Sequence, residues 1–308
     1  LRSLLAAPRE EYRAILKKVE ADNLPKRSEE LSAEQGRSSK AHYLTKLSSE
    51  GLTDGAPDAG SSMDLSGSGR KGAYKYFNGI FAERHKRMLV KPAQRIAVIM
   101  AAVSVVAIAA CVLSPKFSAM INGNIVRLLP VFTFLMYLVN RGQTITEIMF
   151  FNCDSSMLNY NFYRRPDVIL GVFSERLKTL TRINLIPALV IASALPLLLF
   201  VSGGTQDAKE YPILFVTIIA LSVFFSVHYL VMYYLLQPYT EGLAAKGIGY
   251  RMVMTFTYLF CWGCLNIDEL RDDSLLFGII VCVMAAVYVV AALILTFRLA
   301  PKTFRLRR

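Results

Sequence analysis

Histidine is almost missing from this sequence. The three present, His42, His85 and His228, stand far apart, and no pair has the spacing with which a helix presents two imidazoles to one metal ion. A membrane metalloprotease is therefore disfavoured, and no metal is expected. A phosphate cradle is missing too: the nearest approach, Gly67-Ser68-Gly69-Arg70-Lys71-Gly72, lacks both the spacing and the hydroxyl residue that should follow its lysine. Any ATP hydrolysis must come from another chain, and no catalytic residue is assigned. Of the five cysteines, Cys111, Cys261, Cys264 and Cys282 lie in apolar runs and Cys153 in a polar connection, so no disulfide framework is expected. Cys261 and Cys264 read as small packing residues.

Charge is scarce as well. Only 19% of residues are charged and 54% are hydrophobic, against ~25% and ~45–50% in soluble domains. The deficit is local: the chain to Arg95 is polar, and from Ile96 onward long apolar runs alternate with short polar gaps. These runs hold almost no Asp, Glu, Lys or Arg, and Arg127 and Arg298 sit near run ends, where they can snorkel. Ion-coupled transporters place such groups inside their spans, so that class is disfavoured. No channel filter is recognisable either.

Six runs approach the ~20 apolar residues that a hydrocarbon core demands of a helix. They are Ile96 to Leu113, Ile125 to Val139, Leu185 to Val201, Pro212 to Leu236, Tyr250 to Leu265 and Leu275 to Leu299. Their continuity favours helices over barrel strands. The expected fold is an all-α polytopic membrane protein with six transmembrane helices, residues 95–308. Arg84 to Arg95, Arg141 to Arg182 and Lys302 to Arg308 carry the positive charge, whereas Asn266 to Ser274 is acidic. That asymmetry predicts both termini in the cytoplasm and a plasma-membrane location. The net charge of +12 is thereby assigned to membrane lipid rather than nucleic acid.

Ahead of the spans, residues 1–71 read as a cytoplasmic amphipathic helix over Pro8 to Asn23 followed by a Ser- and Gly-rich linker. The chain opens on Leu1 without a charged-then-apolar leader, and it is expected to be a piece, or half, of a longer polypeptide. Residues 72–94 mix Tyr76, Phe77, Ile80 and Phe81 with Lys75, Arg84, Lys86 and Arg87, which predicts an interfacial helix on the inner leaflet. The alternative is a plain extension of the first span, against which Pro92 counts.

The connection 141–184 is long for a helical bundle and too apolar for a solvated linker. Pro166 and Asp167 suit the first turn of a helix. Ile169, Val172, Phe173, Leu177, Leu180 and Ile183 then recur at helical spacing, so an amphipathic helix should run into the third span. Before it, Asp154, Met157, Leu158, Tyr160, Phe162, Tyr163, Arg164 and Arg165 concentrate the residue types that dominate protein interfaces. This elbow is expected to dock a soluble partner. The competing reading has its aromatics pack on helix ends or in the headgroup layer.

Within the fourth span, His228, Tyr229 and Tyr233 are candidates for a translocation path, because polar groups in spans usually face inward. With no carboxylate in the same run, His228 also reads as a packing histidine. Pro130, Pro187 and Pro196 interrupt spans and leave backbone groups for neighbours to satisfy.

The stretch Phe151 to Leu180, through Cys153-Asp154, Met157-Leu158, Phe162-Tyr163-Arg164, Phe173 and Arg176, resembles the loop between the second and third spans of permease subunits in the putative ABC exporter family, related in plan to ABC-2-type permeases. The resemblance implies a coupling helix seated on a cytoplasmic ABC ATPase, with ATP and Mg bound by that partner and no cofactor on this chain. It implies a second permease subunit, in a homo- or heterodimer. Bare, weakly charged spans suit an amphipathic or hydrophobic substrate such as a peptide. The alternative function is a non-transporting membrane scaffold that recruits cytoplasmic partners.

Overall fold

The computed structural model describes residues 70–239, 247–266 and 274–305. The helix expected at Pro8 to Asn23, the linker after it and the acidic gap at 267–273 lie outside the described residues. The described residues are helical and contain no strand. In chain order they form α1 (Arg70–Arg84), α2 (Lys86–Leu89), α3 (Lys91–Leu113), α4 (Pro115–Asn124), α5 (Leu129–Val139) and α6 (Gly142–Met149). A π-helical turn (Phe150–Asp154) and the short α7 (Ser155–Met157) follow, then α8 (Pro166–Val201), α9 (Glu210–Leu236), α10 (Ile248–Asn266) and α11 (Ser274–Thr303).

The boundaries follow from local chemistry. Ser114 is extended, as the residue before a proline prefers, and its Oγ accepts the amide of Phe117 while Pro115 opens α4. Arg165 is likewise extended before Pro166 and starts α8 without a side-chain cap, with Asp167 in the first turn against the positive end of the helix. Pro130 opens α5 rather than kinking it. α8 continues through Pro187 and Pro196 without a break.

Four helices among the described residues are long and apolar enough to cross a membrane: Lys86–Leu113, Pro166–Val201, Glu210–Leu236 and Leu275–Thr303. A fifth crossing is available from Pro115–Asn124 and Leu129–Met157, which meet at 88°. Six were expected. The run at Tyr250 to Leu265 does form a helix, α10, but Arg251, Thr255, Thr257 and Tyr258 dilute its apolar character.

At the centre of the bundle is α9, which packs against α8 and α11 over long contacts and against α5 and α6 over shorter ones. Its own length explains the choice, since apolar side chains surround it on every side and such a helix must be covered all round. One apolar cluster gathers Ile145, Phe150, Phe173, Tyr233 and Phe304 near one end, and a second gathers Leu129, Ile191, Leu195, Leu214 and Phe225 beyond it. By contrast α3 and α11 leave Val98, Val105, Leu113, Val283, Val287 and Val290 bare. Each exposed side chain would cost about 1.5–3 kcal/mol in water relative to burial, a cost that lipid removes.

At 36 residues, α8 is ~54 Å long, well beyond the ~30 Å of a hydrocarbon core. Its apolar part begins near Leu185, so the half from Pro166 to Asn184 projects ~28 Å past it. Beside this projecting half lies α1, running in the same direction: the Tyr74 ring covers Gly171, and Asn78 Nδ2 donates to Thr179 Oγ1 at 2.8 Å and to the Glu175 carbonyl at 3.3 Å. Amides of His85, Leu89, Val90 and Gln94 each reach back four residues, so α1, α2 and α3 follow one another with only loosened turns between them. Pro92 sits in the first turn of α3, where its missing N–H costs nothing. A helical run therefore covers the expected 72–94, and its first part, α1, is held against α8.

Candidate functional site

The connection between α5 and α8 is folded against the bundle at two levels. At its start, Asn184 of α8 accepts the Arg141 amide at 3.1 Å and donates to Ser226 Oγ of α9 at 2.9 Å, while Ser222 Oγ donates to the Asn184 carbonyl. Gly142 lies so close to α9 that an added Cβ would stand 2.5 Å from that of Tyr229. Only glycine permits that approach.

The second level is ionic. The π-helical turn carries Asp154 inward, where both it and Arg176 of α8 are wholly buried. The guanidinium grips the carboxylate with both terminal nitrogens, Nη2 donating to Oδ1 at 2.7 Å and Nη1 to Oδ2. Tyr163 OH donates to Oδ1 at 2.8 Å and Tyr233 OH of α9 donates to Oδ2, while Arg176 Nη1 also donates to Tyr234 OH at 3.2 Å. Removing two charges from water is expensive, and forked geometry with every carboxylate oxygen doubly bonded is what offsets it. Burial also pushes the Tyr163 phenol well above its ordinary range, the nearby guanidinium opposing the shift. Phe304, just beyond α11, stacks on Tyr234 at 4.3 Å between ring centres and meets Tyr233 at 5.4 Å. One carboxylate thus joins the connection, α8 and α9, and a ring joins the end of α11.

The eight elbow residues divide. Asp154, Leu158 and Tyr163 are buried and Met157 is half-buried. Tyr160 and Phe162 are 57% and 53% exposed, and Arg164 and Arg165 are exposed beside them. Arg164 Nε donates to the Leu158 carbonyl at 2.7 Å, tying the turn, and the Phe162 ring lies 6.3 Å from that of Tyr163. A short tip of exposed aromatic and basic side chains is therefore pinned from behind by a buried anchor.

The three candidates for a path are all packed. His228 Nδ1 lies 2.6 Å from Tyr288 OH of α11, and its Nε2 lies 3.1 Å from Thr257 Oγ1 of α10. Tyr229 covers Gly142, and Tyr233 belongs to the Asp154 network. The His228 and Tyr229 rings meet edge-on at 5.7 Å between centres, and Tyr233 lies apart from them in that network. Among the described residues no three His, Cys, Asp or Glu side chains converge as a metal site.

Sequence reasoning missed Arg176 as a partner for Asp154, and with it Tyr234, Asn184 and Phe304. A signal for Arg176 existed: it falls on the apolar face made by Ile169, Val172, Phe173, Leu180 and Ile183, where an unpaired cation could not stay. Comparisons with protein-family models, with curated proteins and with solved structures find no match to this chain.

Proposed function

We propose that this chain is the membrane-spanning subunit of an ATP-driven exporter of the ABC type. On this reading six spans, the bent pair and α10 included, lie in the plasma membrane with both termini on the cytoplasmic side, in keeping with the bias of Lys and Arg. The tip around Tyr160, Phe162, Arg164 and Arg165 docks on a cytoplasmic ATPase subunit that binds the ATP and Mg. A second permease subunit completes the transporter, and the cargo is amphipathic or hydrophobic.

The observation that carries this reading is the reach of α8. Its start lies ~28 Å beyond the apolar part, whereas headgroups add only ~5–8 Å on each side of the core. Tyr160 and Phe162 are exposed at that start, too far out to be anchored in lipid. Aromatic and arginine side chains held rigidly in water are the usual makings of a binding hot spot. The buried Asp154 network behind them passes a push on the tip to α8 and α9 together, as a two-state bundle requires.

The test is to replace Tyr160, Phe162 and Arg165 with alanine and purify the protein in mild detergent. Loss of a bound ATPase and of its stimulated turnover, with the melting temperature unchanged, is the expected result. A tip variant that keeps both leaves the connection with a structural role only, and a wild-type protein that never retains an ATPase points to the scaffold.

A further inference from the structure

We infer that the docking surface is bipartite, the outward face of α1 forming a second half of it, and that its occupant is a soluble protein with an acidic rim. The inference rests on the docking tip proposed above and extends it to a helix that the elbow alone would not include.

Three contacts hold α1 beside the tip. The Phe77 ring lies 6.2 Å from Tyr163, the residue that pins the tip to Asp154. Tyr74 covers Gly171, and Asn78, nine-tenths buried, donates to Thr179 and the Glu175 carbonyl. These residues occupy one side of α1. On its other side Lys75, Tyr76, Ile80 and Arg84 are exposed. The surface shared by α1 and the tip therefore repeats one chemistry twice, large apolar groups flanked by cations. One exposed acid, Glu83, is engaged by Lys86 at 3.2 Å.

Two occupants suit such a surface, an anionic membrane and an acidic protein. Distance decides between them. Tyr74 lies level with Gly171, fourteen residues before Leu185, which is ~21 Å along the helix. The first turns of α1, with Lys75 and Tyr76, are thus outside the ~5–8 Å headgroup layer, whereas Arg84, ten residues on and ~15 Å nearer, falls within it. A protein seated on the tip would meet Lys75 and Tyr76 without rearrangement, and cations on this face would draw in a partner of opposite charge.

A photo-crosslinking amino acid placed at Tyr76 or Ile80, and separately at Tyr160 or Phe162, tests this in cells making the full chain. Adducts are identified by mass spectrometry. Both pairs of positions should trap the same polypeptide. Lys75→Glu should lower the tip adduct roughly tenfold while keeping the wild-type melting temperature, since its side chain is exposed. Lipid adducts alone from Tyr76 and Ile80, or a tip adduct that ignores the charge reversal, would overturn the bipartite surface and leave the tip proposal standing. No protein adduct from either half would remove both.

Discussion

Phe162 is 53% exposed and Tyr163, the next residue, 3%, although both belong to the same aromatic and basic cluster. The difference lies in one hydroxyl. Tyr163 can donate to Asp154 and so complete the bonding of a buried carboxylate, whereas phenylalanine offers only area. The tip and its anchor are thus interleaved in sequence but separate in energetic role: one stabilises the fold, and the other is left available for contact.

That separation is most easily broken at the anchor. Asp154→Ala strands the Arg176 guanidinium without its counter-charge, and a loss of about 3–5 kcal/mol is expected, read as little folded protein or a large fall in melting temperature. Asp154→Leu with Arg176→Met removes both charges and should recover most of that loss. If the double variant melts no higher than Asp154→Ala, the pair is not the source of the stability. Tyr163→Phe deletes one bond to the carboxylate and should cost about 1.5–3 kcal/mol while leaving the neighbouring ring exposed as before. Asn184→Ala removes the acceptor of the Arg141 amide and should cost about 1–3 kcal/mol, with hydrogen exchange rising first at the start of α6.

A smaller effect comes from pH. Burial, with help from Arg84, lowers the His85 pKa below 6.5, although the Phe81 carbonyl opposes the shift. A histidine with a depressed folded value is stabilising above the unfolded pKa. Melting temperature should therefore hold steady above pH 6.5 and fall as acid carries the protein down through the lowered value, and His85→Gln should flatten that slope. The smallest stability change belongs to the tip: Tyr160→Ala with Phe162→Ala should shift stability by less than about 0.5 kcal/mol, while partner retention is lost. A large fall in stability there would mean that tip and anchor are a single structural unit.

Much of the helical plan was legible in the sequence because apolar runs and prolines act locally. Pro166 opens a helix where one was expected, and the 3.6-residue recurrence from Ile169 to Ile183 led to the continuity of α8, whereas Pro130, expected to interrupt a span, opens α5. The bent pair was less legible, since Ile125 to Val139 is apolar enough to look like one run while α5 spans only 11 residues, ~16 Å. The interior of the elbow was legible by type and not by direction. Nothing local distinguishes the buried Leu158 from the exposed Tyr160, because burial there is set by α8 and α9, distant in the chain. Arg176 was counted as one more inner-leaflet cation for the same reason: its partner lies 22 residues away.

The π-helical turn at Phe150–Asp154 has a consequence for how this site tolerates change in length. Its wide turn closes on the bond from Ser155 N to the Phe150 carbonyl, one residue further than an α-helix would take. Deleting a single residue there would leave a regular and locally more comfortable helix, yet it would swing everything downstream by about 100°. Asp154 would then rotate out from between Arg176 and Tyr233, so the irregularity that looks like a flaw in the helix is what aims its one buried anion.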